Sequence, residues 1–238
     1  MSVYDPDNST PFIAILLRLT CLIYQEGINE SEAEFKRQYP QIYKHLSNFK
    51  QLMIQIRDRN QEKTSEWFTL DRAREEAIFN VEKIVAPQRS KSNNFGYTTL
   101  PWYTSADVYF IVRQNENSLV NLKFILGLLN SNLYFHWLYN RGKRKGEMLE
   151  LYQKPLSEIP IPELDTQVKK ELASQIESLI DEILTEKETN PEADTHLLEA
   201  RIDKLVYQLY DLTEEEIKII ENEVNKSASD DKELSLVN

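Results

Sequence analysis

The stretch Glu82-Lys-Ile-Val-Ala-Pro-Gln-Arg-Ser-Lys-Ser-Asn-Asn-Phe-Gly-Tyr-Thr-Thr-Leu100 changes the texture of the chain. Ile84-Val85 and Tyr97 to Leu100 are short β-branched or aromatic runs. Pro87, Ser90 to Asn94 and Gly96 supply turn chemistry between them. Outward from this stretch, Trp67-Phe68 on one side and Val108 to Val112 on the other read as further strands, and Leu149 to Tyr152 offers a last one. Helical patterns lie on both sides. The sequence therefore predicts an α+β fold: a small, mostly antiparallel sheet flanked by helices, followed by a C-terminal antiparallel helical arm.

The helical readings rest on spacing. Ile42, Leu46, Phe49, Met53 and Ile56 recur every three or four residues within 29–60, with Tyr39-Pro40 as a start or break. Leu119 to Tyr139 carries Leu122, Ile125, Leu126, Leu129, Leu133 and Trp137 on or near one stripe, and Asn130-Ser131-Asn132 can divide it. Beyond Ile159-Pro-Ile-Pro162, which reads as an extended boundary, 167–188 and 194–210 form two amphipathic helices joined through Asn190-Pro191. Thr213-Glu-Glu-Glu216 is a capping-box start for a third helix, 214–225, and 227–238 reads as disordered. Residues 1–11 read as loose, and 12–25 as a helix apolar nearly all round, which must be buried.

Charge is divided along the chain. The 238 residues hold 28 Lys+Arg against 39 Asp+Glu, a formal charge of −11. Residues 1–160 carry 20 basic and 18 acidic side chains, and 161–238 carry 8 and 21. Within the first part, 35–160 hold 19 basic and 12 acidic, a local excess of +7. The total argues against phosphate binding, whereas the distribution permits it on one part of the molecule.

Other counts exclude whole classes of chemistry. One cysteine, Cys21, cannot close an internal disulfide and suits a reducing, cytoplasmic setting. One Cys and three His do not make a Cys-based zinc site. The five glycines form neither GxGxxG nor GxxxxGK[ST], so a glycine-built phosphate cradle is absent. The apolar run 12–24 is short for a bilayer and contains Arg18, and its acidic flank is wrong for a signal peptide.

Several segments together resemble the TaqI-like C-terminal specificity (target-recognition) domain of type II/IIG restriction-modification adenine-specific DNA methyltransferases. They are Tyr39-Pro-Gln-Ile-Tyr-Lys-His-Leu46, Trp67-Phe68 with Arg72, Glu82-Lys-Ile-Val85, Val108-Tyr-Phe-Ile111, Leu126-Gly-Leu-Leu-Asn-Ser131, Leu156-Ser-Glu-Ile-Pro-Ile-Pro162 and Arg201-Ile-Asp-Lys-Leu-Val-Tyr-Gln-Leu-Tyr-Asp-Leu-Thr-Glu-Glu-Glu216. They cover roughly 35–220 in the family's order. The resemblance implies a module that positions double-stranded DNA for an attached methyltransferase or restriction subunit. The family's catalytic domain binds S-adenosylmethionine and carries an Asn-Pro-Pro-Tyr type motif, and neither that motif nor a glycine-bearing cofactor turn occurs here. The expected cofactor site is thus on a partner methyltransferase domain. The expected organisation is an N-terminal docking region, 1–34; a DNA target-recognition domain, 35–162; a helical arm, 163–226; and a disordered tail, 227–238.

The candidate DNA-binding residues fall in three groups. Arg141, Lys143, Arg144 and Lys145 form the densest basic feature, read as a mobile loop with glycine hinges that lays cations on phosphates. The plain alternative is a solvated loop. Arg72, Arg74, Lys83, Arg89, Lys91, Asn93 and Asn94 form the second group. Arg89-Ser-Lys-Ser-Asn-Asn94 mixes cations with amides that can bond adenine, whereas Arg72 and Arg74 beside Glu75 and Glu76 also suit weak surface ion pairs. The third is Trp102-Tyr103, the least core-like pair in an aromatic series (Trp67, Phe95, Tyr97, Trp102, Tyr103, Tyr109) that otherwise reads as core.

Pro6-Asp7 with Glu34-Phe-Lys36 is a faint echo of a PD-(D/E)xK nuclease, but its parts fall on a loose start and a helix. His45 and His136 lack acid partners at catalytic spacing in the sequence. The readings left open beside DNA recognition are an inactive remnant of such an enzyme, a helical protein-interaction scaffold and an independent nuclease. The helical arm has two readings as well: a hairpin packed on the same domain, or a docking arm whose −13 charge lies away from DNA.

Overall fold

The computed structural model describes residues 31–61, 66–69, 75–104, 107–113 and 121–235, with side chains of the last segment described to 227. The expected apolar helix at 12–25, and Arg72 and Arg74, lie outside the described residues. The described chain forms two compact units, one from 31–81 with 100–104 and one from 82–99 with 107–235.

The first unit is helical: α1 (Glu32–Gln38), α2 (Pro40–Ser47), α3 (Lys50–Asn60) and α4 (Ala77–Asn80). Pro40 opens α2, where its missing N–H costs nothing. Phe35, Leu46, Trp67 and Phe68 are its buried core, and the rings of Phe35 and Phe68 stack with centroids 4.4 Å apart. Trp67-Phe68 lies in a turn and not in the expected strand. Two adjacent aromatic residues carry no alternation, so they pack equally well from a turn. Trp102 and Tyr103 belong to the same unit. The Trp102 N–H donates to the Phe79 carbonyl at 2.9 Å, and Tyr103 stacks on Phe79 at 4.8 Å.

The second unit holds two three-stranded antiparallel sheets. β1 (Lys83–Pro87), β2 (Arg89–Ser90), β3 (Gly96–Thr98), β4 (Val108–Ile111), β5 (Lys143–Lys145) and β6 (Met148–Glu150) pair in the orders β3-β1-β4 and β2-β6-β5. Gln88 links the sheets. Its N–H donates to Asp107 at 2.8 Å, and its carbonyl accepts from Leu151 at 2.9 Å. Proline at 87 ends β1 without losing a ladder donor further along. Strand and helix content together give the α+β class predicted from sequence.

Helices α5 (Leu122–Leu129) and α6 (Asn132–Asn140) divide at Asn130-Ser131, where Ser131 caps α6 by accepting from the Tyr134 N–H. Between β6 and the arm lies the short α7 (Gln153–Ser157). Beyond it α8 (Gln167–Thr189) and α9 (His196–Leu209) pack along each other as a hairpin. Gly127 on α5 lets α8 approach closely: a Cβ there would sit 2.4 Å from Ile176 Cγ2.

The hairpin is part of the body. Ile84, Phe95, Leu126, Leu138, Leu149, Ile176, Ile183, Ile202 and Val206 share one buried cluster. Each such side chain contributes about 1.5–3 kcal/mol when fully buried. The expected boundary at Ile159–Pro162 therefore does not separate two cores. The Tyr134 hydroxyl donates to the Pro160 carbonyl at 2.6 Å and lies 2.7 Å from the Tyr210 hydroxyl, which pins that extended segment from both sides. The capping box at Thr213 forms, with the Thr213 N–H donating to Glu216 Oε2 at 2.8 Å and the Glu216 N–H donating to Thr213 Oγ1 at 3.3 Å. The helix it starts, α10 (Glu214–Ser235), runs past the expected end at Asn225 and into the stretch read as disordered. Composition there is polar but contains no proline or glycine to stop a helix.

Candidate nucleic-acid interface

The small sheet β2-β6-β5 gathers the two main basic groups. Glu150 on the central strand is the Cα partner of Arg89 on one side and of Lys143 on the other. Arg89 and Glu150 are 61 positions apart in sequence. The Arg89 Nε lies 3.4 Å from Glu150 Oε1, and the Lys143 Nζ lies 3.5 Å from Glu150 Oε2. The Tyr152 hydroxyl donates to Oε2 at 3.1 Å, and Lys143 Nζ stands 5.3 Å from the Tyr152 ring centre. Burial alone would raise the Glu150 carboxyl, but the Tyr152 hydrogen bond and the two cations outweigh it and hold the group below the ordinary carboxylate range.

Alternation along the strands sorts the remaining cations. Lys143 and Lys145 share the face of Arg89 and Glu150. Arg144 pairs with buried Leu149 on the opposite face, where its guanidinium lies 4.0 Å from the Tyr139 ring centre. The run 143–145 is a strand and not the expected mobile loop, because its backbone pairs with β6. The supposed glycine hinges are fixed points. A Cβ on Gly142 would meet the Leu138 carbonyl at 2.4 Å, and Gly146 has φ 63° in the two-residue hairpin turn with Glu147.

The segment after β2 is equally fixed. The Asn93 amide donates to the carbonyls of Leu129 and Ser131 at 2.7 and 2.9 Å. Asn130 returns the tie: its Oδ1 accepts from the Phe95 N–H at 2.9 Å, and its Nδ2 donates to the Phe95 carbonyl at 3.0 Å. The α5–α6 junction thus holds 93–95 in place, with Lys91 and Asn94 exposed on the surface.

Several expected contact residues are buried. Lys83 is 0% exposed, and desolvation lowers its ammonium to about 8. A buried strand position in a sheet centre explains both. Asn93 is buried with its amide spent on carbonyls. Trp102 and Tyr103 are 5% and 6% exposed, so they are core, and the turn residues around them misled the reading. Arg89, Lys91, Asn94, Arg141, Lys143, Arg144 and Lys145 are exposed. Sequence reasoning missed Glu150 and Tyr152. A single acid inside the apolar run Leu149-Glu-Leu-Tyr152 was the available signal.

Residues 24–161 match the TaqI-like C-terminal specificity domain, which is more than half of the chain. This chain belongs to the TaqI-like specificity-domain family. The match begins before Tyr39 and ends within the Ile-Pro-Ile-Pro segment, so it takes in both sheets and the α5–α6 junction of the specificity domain. Among similar curated proteins, the type II methyltransferase M.MjaIV of Methanocaldococcus jannaschii is 27% identical over 191 residues, covering 78% of this chain and 60% of that protein. The type II methyltransferases M.HincII and M.HindII of Haemophilus influenzae are 28% and 32% identical over 159 and 116 residues. Those alignments cover 63% and 46% of this chain, but only 31% and 22% of the two relatives. The specificity domain therefore corresponds to part of each relative. Among the described residues, no helix is long and apolar enough to cross a membrane.

Proposed function

We propose that this chain is the DNA target-recognition module of a restriction-modification system, holding double-stranded DNA for an adenine-N6 methyltransferase or restriction subunit. The observation that carries the reading is the meeting of Arg89, Lys143 and Lys145 on one face of a sheet inside the region matched by the specificity-domain family. Cations on a rigid sheet can follow a phosphate backbone, while Arg and the amide of Asn94 suit base edges. The acidic α8–α10 region, by its charge, suits a position away from phosphate.

In this reading the methyl donor, S-adenosylmethionine, is bound by the methyltransferase domain. The described glycines of this chain do not fit a cofactor turn. Gly96 lies in β3, Gly127 admits Ile176, Gly142 closes on α6 and Gly146 turns a hairpin.

The test is gel mobility of a DNA duplex of about 30 bp at about 50 and about 200 mM salt, with and without the partner methyltransferase. A retarded band that weakens with salt is expected. No band under any of the four conditions contradicts the proposal.

A further inference from the structure

A carboxylate on a phosphate-facing surface weakens the attraction for DNA, so charge count alone gives Glu150 no place on this face. Its geometry does. It sits on the central strand, directly between two cations from distant parts of the chain, and each of its oxygens serves one of them. Its side chain is 8% exposed, against 45% for Arg89 and 66% for Lys143. The carboxylate is thus under the cations and not in front of them. The Tyr152 hydroxyl holds its Oε2 from a further side.

The consequence differs for the two cations. Arginine presents five N–H donors in a planar fork. Glu150 takes the Nε edge, which fixes the plane of the guanidinium and leaves the terminal nitrogens for a ligand. A fork held this way suits the paired O6 and N7 acceptors of guanine in the major groove. Lysine is a point charge on a flexible stem, so tethering Lys143 supplies a phosphate contact without a directional one. Side chains ordered before binding lose less freedom when the complex forms.

We propose that Glu150 is a positioning residue that aims the Arg89 guanidinium at a guanine edge, making Arg89 the specificity-determining cation of this face. The inference rests on the DNA-recognition reading above. It assigns base readout to Arg89, backbone attraction to Lys143 and Lys145, and alignment to Glu150.

The experiment selects duplexes carrying a random core with the full chain, at one fixed salt concentration, and sequences the bound fraction. Wild type is compared with Glu150→Gln, Arg89→Lys and Lys143→Ala, and total binding of the unselected pool is measured in parallel. Glu150→Gln removes one negative charge, so pool binding stays level or rises. Guanine preference at one motif position falls about tenfold or more. Arg89→Lys, which keeps the charge, relaxes the same position. Lys143→Ala weakens all sequences alike and leaves the motif unchanged. A merely structural Glu150 would lower pool binding and motif binding together.

A motif unchanged in Glu150→Gln overturns the inference alone, as does relaxation at a position different from that of Arg89→Lys. Should Glu150→Gln fail to fold, Arg89→Lys together with Tyr152→Phe carries the test. Both must relax one shared position, and an unchanged motif in either overturns the inference. A wild-type chain that enriches no motif either alone or with the partner methyltransferase overturns the recognition reading and this inference with it.

Discussion

Asp203 on α9 accepts the backbone N–H of Asn132, the first residue of α6, at 2.7 Å. A side chain from one helix thus caps the start of another, 71 positions away. Asn132 directly follows the motif Leu126-Gly-Leu-Leu-Asn-Ser131, and Asp203 lies within Arg201-Ile-Asp-Lys204, so this bond ties the end of the first motif to the second. Burial pushes the Asp203 carboxyl up to about 6, with Glu199 and Glu221 adding to the rise, although the Asn132 N–H opposes it.

That shift sets a pH dependence of known sign. The folded value lies above the unfolded one of 3.8, so Asp203 favours the folded state fully below pH 3.8. That contribution is lost as pH rises through about 6. The change amounts to at most about 3 kcal/mol. Asp203→Asn keeps an oxygen for the Asn132 N–H and does not ionise. It is expected to exceed wild type in stability at pH 7.5, with the difference vanishing near pH 4. Urea unfolding of both proteins at the two pH values checks this. A difference independent of pH contradicts the assignment.

Asn130 bonds both backbone groups of buried Phe95, but the Phe95 N–H also donates to the Asn93 carbonyl at 3.1 Å, so loss of Asn130 strands the Phe95 carbonyl. Asn130→Ala is expected to cost about 1–3 kcal/mol, the penalty of one unsatisfied buried acceptor. Asn130→Asp sets a carboxylate oxygen against the Phe95 carbonyl where the amide donated, and is expected to cost more than Asn130→Ala at neutral pH. Denaturant midpoints of the two variants give the ordering.

Gly127 has no room for a methyl group beside Ile176. Alanine normally stabilises a helix interior by about 1 kcal/mol over glycine. Here Gly127→Ala is expected to destabilise by about 1–3 kcal/mol through overpacking. Ile176→Ala removes the clashing atom and opens a cavity of its own. The double variant is then expected to be clearly less destabilised than the sum of the singles, as a double-mutant cycle measures.

How much of this was legible in the sequence follows from which physical signal each feature leaves. Periodicity is local, so the stripes in 122–138, 167–188 and 194–210 and the break at Asn130-Ser131 were readable and correct. β-branched runs gave β1, β3 and β4. Lys143-Arg-Lys145 left no such signal, because three charged residues become a strand only through pairing with β6. Burial is non-local too. Lys83 and Asn93 look like contact residues in isolation, and only the sheet centre and the Leu129 and Ser131 carbonyls reveal their work. The charge division was read along the chain, but it took the β2-β6-β5 register to unite Arg89 with Lys143 and to send Arg144 to the other face.

The central claim is that this face of the sheet supplies the phosphate contacts, and the salt dependence of DNA affinity tests it most directly. The slope of log affinity against log salt is to be measured for wild type, for Arg89→Ala/Lys143→Ala/Lys145→Ala, and for Arg144→Ala as the opposite-face control. Each phosphate contact removed reduces the slope by about 0.9. The triple variant removes the two lysine phosphate contacts and is therefore expected to lose about 2 from the slope, whereas Arg144→Ala leaves it unchanged. A triple variant with the wild-type slope would contradict the account.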